Sequence, residues 1–169
     1  ALAVAGDVDL SLGVTNLTVS GIPATGTSFT AFTYGSLTGP VTNIVPVALR
    51  GGTVTNDSAN KQVVVNYTPG NITWTGAANA NWTQNADLNF DSSGATNFFS
   101  GDTVSFTEAA PVKAITLVGM LYPKNVTFDN TTEYNLTGAN SGIGGSAGIT
   151  KNGSGNLVHN LHTYSWGNP

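Results

Sequence analysis

Cysteine is absent from the 169 residues, so no disulfide can staple this fold. The compartment stays open on that ground, since extracellular proteins need not use disulfides. Charge is scarce: five Lys+Arg face nine Asp+Glu, a net charge of −4, and 8% of residues are charged against roughly 25% in an average soluble domain. So few cations, spread singly along the chain, cannot neutralise a phosphate backbone, which excludes nucleic-acid binding. No run approaches the ~20 consecutive apolar residues of a membrane span, so no helical crossing is expected. Helical periodicity is missing as well: nowhere do apolar residues recur at i, i+3, i+4 and i+7 in a window rich in helix formers. Few titratable groups are left for acid and base work, and the chain reads as a non-enzyme.

What is abundant is neutral and polar: 24 Thr, 19 Asn, 13 Ser and 21 Gly. This Lys-poor composition is common in bacterial and archaeal surface proteins, and an extracellular or cell-surface location is expected. The opening Ala1–Gly6 has the A-x-A spacing of signal-peptidase sites, but no basic or long apolar region precedes it; it reads as a strand lead-in or at most a processing scar.

Period two runs through the chain. Val8-Asp9-Leu10-Ser11-Leu12, Phe29-Thr30-Ala31-Phe32-Thr33-Tyr34, Ile72-Thr73-Trp74, Val104-Ser105-Phe106 and Val126-Thr127-Phe128 alternate apolar residues with Thr, Ser or Asp. Such alternation predicts strands with one buried face, and β-branched Thr suits the exposed one. The fold class expected is all-β. Breakers divide the chain into a β-rich N-terminal subdomain or cap over 1–70, a connector over 71–101 pinned by aromatics such as Trp82 and Phe98, and a repeat region over 102–169. In the last part the centres of the short strands, Val104, Ile115, Val126, Tyr134, Ile143, Ile149 and Leu157, are separated by 11, 11, 8, 9, 6 and 8 residues. Such short strands on a short beat favour a parallel β-helix over the alternative, a β-sandwich.

Val126-Thr127-Phe128-Asp129-Asn130, then Tyr134-Asn135-Leu136-Thr137-Gly138, then Gly148-Ile149-Thr150-Lys151-Asn152-Gly153-Ser154-Gly155-Asn156-Leu157, resembles the autotransporter-associated β-strand repeat. Upstream, Ile72-Thr73-Trp74-Thr75-Gly76-Ala77 with Asn81-Trp82, and Gly101-Asp102-Thr103-Val104-Ser105-Phe106, are similar to elements that precede that repeat in large bacterial surface proteins; the likeness spans residues 28 to 160 and is strongest over 72 to 157. The resemblance implies a right-handed β-helix serving as a stalk or spacer in a surface-displayed protein, with no catalytic residues. The chain departs from the pattern at Val158-His159-Asn160-Leu161-His162, where the family continues with an alternating L-x-L strand.

Four patterns carry candidate chemistry. Asp87, Asn89 and Asp91 have the alternate spacing of a calcium loop, but position six is Ser92 and position twelve Phe98, so a solvated loop is the better reading and calcium the lesser one. His159 and His162 lack a third ligand nearby, and on a strand their odd separation sends them to opposite faces. Nine N-x-S/T sequons occur, at Asn16, Asn56, Asn66, Asn71, Asn81, Asn125, Asn130, Asn135 and Asn152; they are glycan candidates in a eukaryotic or archaeal source, and alternating Asn and Thr on exposed strand faces generates them without sugar. Trp82, Tyr164 and Trp166 are candidate partner or ligand aromatics, against the commoner role of filling a β core. The expected function is a non-catalytic structural module, a stalk, fibre or filament subunit associating head to tail with itself or with neighbouring repeats through strand edges and ends. The alternative is a carbohydrate-binding or adhesin module engaging surface glycans. No cofactor is expected.

Overall fold

The alternating segments form strands with one exception: Val8–Leu12 is strand only as far as Asp9, and Ser11 and Leu12 lie in a turn with Leu12 exposed. A computed structural model describes residues 2–18, 27–47, 49–145 and 147–161. Twenty strands and one 3-10 turn, Val41–Asn43, make up the regular structure, with no α-helix and no closed barrel among the described residues, and no helix there is long and apolar enough to cross a membrane. The chain separates after Pro69 into two compact units.

The first unit contains β1 (Leu2–Ala3), β2 (Asp7–Asp9), β3 (Thr15–Thr18), β4 (Ser28–Thr33), β5 (Ser36–Thr38), β6 (Ile44–Val47), β7 (Thr53–Asp57) and β8 (Gln62–Asn66). The chain passes twice through the same three directions: β4 lies parallel on β1, β5 on β2 and β6 on β3, with Val8 opposite Leu37 and Thr15 opposite Ile44. It then changes habit. β7 and β8 pair antiparallel, and β8 also lies antiparallel on β4, with a register shift between Thr30 and Phe32. Val63 and Val65 of β8 are fully buried, one in a cluster with Tyr34 and Ile44, the other with Leu49 and Tyr67.

The second unit contains β9 (Asn71–Trp74), β10 (Asn81–Trp82), β11 (Phe90–Asp91), β12 (Ala95–Thr96), β13 (Thr103–Thr107), β14 (Ala114–Leu117), β15 (Met120–Leu121), β16 (Asn125–Asp129), β17 (Tyr134–Gly138), β18 (Gly142–Ile143), β19 (Gly148–Asn152) and β20 (Leu157–Leu161). Three parallel ladders result, β9-β13-β16-β19, β10-β14-β17-β20 and β15-β18, and from β13 onward the chain visits them in rotation. Register brings like residues together. Ile72, Val104, Val126 and Ile149 form one column, and Phe106 lies opposite Phe128 with ring centroids 4.5 Å apart and planes at 8°. One continuous apolar core follows, rich in aromatic edge-to-face contacts such as Trp74 on Phe90 and Trp82 on Phe98.

The sequence-based parse changes in one place. Residues 71–101 are not a connector: they carry β9 to β12 and bury Ile72, Trp74, Trp82, Phe90 and Phe98 in the core of the second unit. Low β-branched content misleads here because burial of large aromatics, not intrinsic propensity, fixes these two- to four-residue strands. All seven predicted strand centres fall on strands, while β15 lies concealed in the gap between Ile115 and Val126.

Candidate functional site

Polar groups of the second unit staple its loops and tie successive strands of its parallel ladders. Asn89 is fully buried: its Oδ1 accepts the backbone N–H groups of Ala78 and Asn79, both at 2.9 Å, and its Nδ2 donates to Asn79 Oδ1 at 2.8 Å and to the Asn81 carbonyl at 2.7 Å. Asp87 accepts from Asn79 Nδ2 and Thr83 Oγ1, and Asp91 accepts the Gly94 N–H at 2.6 Å. Asp87, Asn89 and Asp91 thus each turn at least one side-chain oxygen to donors of their own chain and act as loop staples. Among the described residues no three His, Cys, Asp or Glu side chains gather into a metal-binding group.

Asp102, buried, accepts the N–H groups of Gly70 at 2.7 Å and Phe99 at 2.9 Å, tying the entry of β9 to that of β13. Glu108 accepts from Thr131 N–H, Thr132 N–H and Thr132 Oγ1 on the following coil, at 2.7, 3.0 and 2.6 Å. It also pairs with Lys113 at 3.4 Å. The Thr132 and Thr131 donors hold its carboxyl well below the usual carboxylate range. Tyr134 stands beside it, donating its hydroxyl to the Thr107 carbonyl at 2.7 Å; burial, with the Glu108 carboxylate adding, pushes its phenol up to about 12. The carboxylates of Asp87, Asp91, Asp102 and Glu108 are spread along the second unit, and each accepts backbone or side-chain donors of that unit, an arrangement that positions loops.

Asn130 reaches across to the last turn. It is buried, and its Nδ2 donates to the Thr132 carbonyl at 2.5 Å and to the Asn156 carbonyl at 3.3 Å, while its own carbonyl accepts the Gly155 N–H at 2.9 Å. A Cβ at Gly153 would lie 2.3 Å from the Asn130 carbonyl oxygen, and one at Gly155 2.6 Å from the Thr132 carbonyl oxygen. The K-x-G-x-G spacing thus has a steric cause: the turn of one coil lies directly on the Asn that ends the strand of the coil before.

The other sequence candidates distribute as follows. Of the sequons, Asn16, Asn56, Asn71, Asn125 and Asn152 are exposed, Asn66, Asn81 and Asn135 half-buried, and Asn130 buried. With its amide nitrogen enclosed and bonded, Asn130 is closed to a glycan in the folded chain. Asn56 already accepts the Tyr34 hydroxyl at 2.5 Å. Trp82 is fully buried between Phe90, Phe98 and Phe106, which removes it as a ligand platform; large rings fill this core instead. Tyr164, Trp166 and His162 lie outside the described residues.

What sequence reasoning missed is the makeup of the last coil. All five residues of β19 are exposed. Ile149 continues the Val126 column at 46% exposure, but Lys151 lies opposite Phe128, and on β20 His159 lies opposite Leu136. The last coil therefore sets two basic side chains where the coils before it set an aromatic and a leucine. Aligning Val126-Thr127-Phe128 on Ile149-Thr150-Lys151 would have revealed this from sequence.

Comparison with family models, curated proteins and solved structures yields no match to this chain.

Proposed function

We propose that this chain is a non-catalytic structural module of an extracellular or cell-surface protein, a short parallel β-helix used as a stalk or spacer, of the kind that the autotransporter-associated β-strand repeat builds. The observation that carries the reading is the register of the coils, with Ile72, Val104, Val126 and Ile149 in one column and Phe106 on Phe128 in the next. Stacked coils bury their inward side chains only against neighbouring coils, so such a column is the economy of a repeat fold whose output is length and stiffness. The saturated carboxylates support the same reading, since Asp102 and Glu108 spend their lone pairs on successive coils. The resembling motifs fall where coils meet: Asp102 of the G-D element at the entry of β13, and Gly153 and Gly155 against Asn130.

The test is placement in the native organism. Protease treatment of intact cells is expected to release peptides of this chain, and negative-stain imaging of the native assembly is expected to find it within an envelope-anchored projection. Recovery of the chain solely from the cytosolic fraction overturns the reading.

A further inference from the structure

We propose that Asn152 deamidates by attack of the Gly153 backbone nitrogen, that the Lys151 ammonium promotes the step, and that the carboxylate formed loosens β19 where it faces Asp129. The inference needs only the local geometry and the ladder register, and it holds whether or not the module is a stalk.

Asn152 is the one asparagine of nineteen that precedes a glycine. Glycine carries no Cβ to crowd its own nitrogen as that atom closes on the neighbouring side-chain amide. Here the glycine cannot be exchanged: a Cβ at Gly153, at φ 68°, would lie 2.3 Å from the Asn130 carbonyl oxygen. The fit of the turn against Asn130 therefore imposes the reactive dipeptide. Asn152 is exposed, and its place on β19 is not the cause. Asp129, opposite it and with β13 on one side and β19 on the other, is exposed as well, so this column points to solvent even where strands flank it.

Lys151 supplies the second observation. Its Nζ donates to the carbonyl oxygen of Asn152 and, at 3.2 Å, to that of Gly153. The Asn152 carbonyl shares a peptide unit with the Gly153 nitrogen, so negative charge on that nitrogen is delocalised onto the oxygen that Lys151 holds. A cation there favours loss of the N–H proton and stabilises the attacking anion. Phe128, at the same register position on β16, offers no such donor.

The net reaction is hydrolysis. The Gly153 N–H proton passes to hydroxide and the nitrogen bonds to Asn152 Cγ; the Cγ–Nδ2 bond breaks, and the amide nitrogen takes a proton from water and leaves as ammonia. A succinimide remains. Water opens it to aspartate or, at the other carbonyl, to isoaspartate with an added methylene in the main chain. Either product sets a carboxylate against Asp129, and like charges directly opposite destabilise a strand pair. Isoaspartate also draws the 153–155 turn off Asn130, whose carbonyl accepts the Gly155 N–H at 2.9 Å.

The test is peptide mapping of the folded chain held at mildly alkaline pH. Asn152 is expected to convert before any other asparagine, with isoaspartate among the products. Lys151→Gln should slow conversion about two- to fivefold, the range for one exposed charge interaction, and Lys151→Arg should preserve it. Unfolded in urea, the three chains should convert at one rate. Asn152→Asp should lower the calorimetric midpoint of the second unit, and Asp129→Asn in the same chain should restore it. Asn152→Gln should abolish conversion and leave the midpoint in place. Earlier conversion of another asparagine, equal folded rates for the parent chain and Lys151→Gln, or an unchanged midpoint in Asn152→Asp overturns the proposal.

Discussion

The two units stack strands by one rule and reach different depths. In the first, two coils are laid down before the β7–β8 hairpin closes the sheet, and the core stays divided into two small clusters around Val63 and Val65. In the second, two ladders each run through four parallel strands, and one cluster extends from Ile72 to Ile143. The lesson is about neighbours. Phe106, between β9 and β16, is wholly buried, whereas Ile149 on β19, which among the described residues pairs with β16 alone, is half open. The short stack of the first unit needs a hairpin to do what additional coils do in the second.

The largest expected effect separates the units by their cores. Phe106 meets Trp74, Trp82, Phe128 and Tyr134 with ring centroids between 4.5 and 5.9 Å. Phe106→Ala should cost the second unit about 3–5 kcal/mol, the range for truncating a buried aromatic. Calorimetry should find the transition of the second unit displaced and that of the first unchanged. Val63→Ala should do the converse with a smaller shift. Both transitions moving together under either substitution would break the comparison.

Turn glycines come next, and here the units agree. Gly153, at φ 68°, lies on Asn130, and Gly39, at φ 83°, lies on the preceding coil so closely that a Cβ would be 2.6 Å from the Ser11 nitrogen. In both, backbone is the obstacle and cannot swing aside. Gly153→Ala and Gly39→Ala should each destabilise their own unit by roughly 1–3 kcal/mol, measured by urea unfolding. Gly94→Ala, where a Cβ meets no atom within 4 Å at φ 146°, isolates the conformational part and should cost less.

Sequence alone went far in the second unit for a physical reason. Val104-Ser105-Phe106 and Val126-Thr127-Phe128 repeat the same inward and outward sides, so strand positions follow from alternation. Residues 81–98 defeated the same reasoning, because Asn89 there does with one side chain what a run of backbone pairs does elsewhere, and an Asn in a polar stretch looks like solvent-facing loop. The β-rich character of the first unit was readable from alternation at Phe29 to Tyr34. That its hairpin would turn back on β4 was not, because antiparallel and parallel edges carry the same alternation. The departure at His159 was readable as a break in the motif, and Lys151 follows from aligning Ile149-Thr150-Lys151 on Val126-Thr127-Phe128; the register adds that the two lie opposite Leu136 and Phe128.

Acid should separate the units more gently. Glu108 has its folded pKa depressed, so the stability it contributes is present above the unfolded value of 4.5 and is lost as pH falls through the folded one. The second unit should therefore weaken progressively below about pH 4.5, as read by its calorimetric midpoint. Glu108→Gln should lower that midpoint at neutral pH and flatten its acid dependence. An unaltered slope in that variant would mean that the Thr131 and Thr132 contacts do not hold the coils together in solution.

The smallest effect is expected from the matching carboxylate of the first unit. Asp57 accepts from Asn60 Nδ2 at 2.8 Å, Gln62 Nε2 at 2.7 Å and the Asn60 N–H at 3.2 Å, and these donors, the Asn60 side chain foremost, lower its pKa. The sign is that of Glu108: stability present above the unfolded value of 3.8 and lost as pH falls. The difference is reach. Glu108 joins residues 23 and 24 positions away on another coil, so losing it loosens a contact between coils; Asp57 joins residues three and five positions away inside one hairpin turn, which β7–β8 pairing already closes. Asp57→Asn keeps an acceptor oxygen and should shift the first unit's midpoint by less than Glu108→Gln shifts the second's, with most of its acid dependence gone. An equal or larger shift would reverse the ranking and make the hairpin turn, not the coil contacts, the more sensitive element.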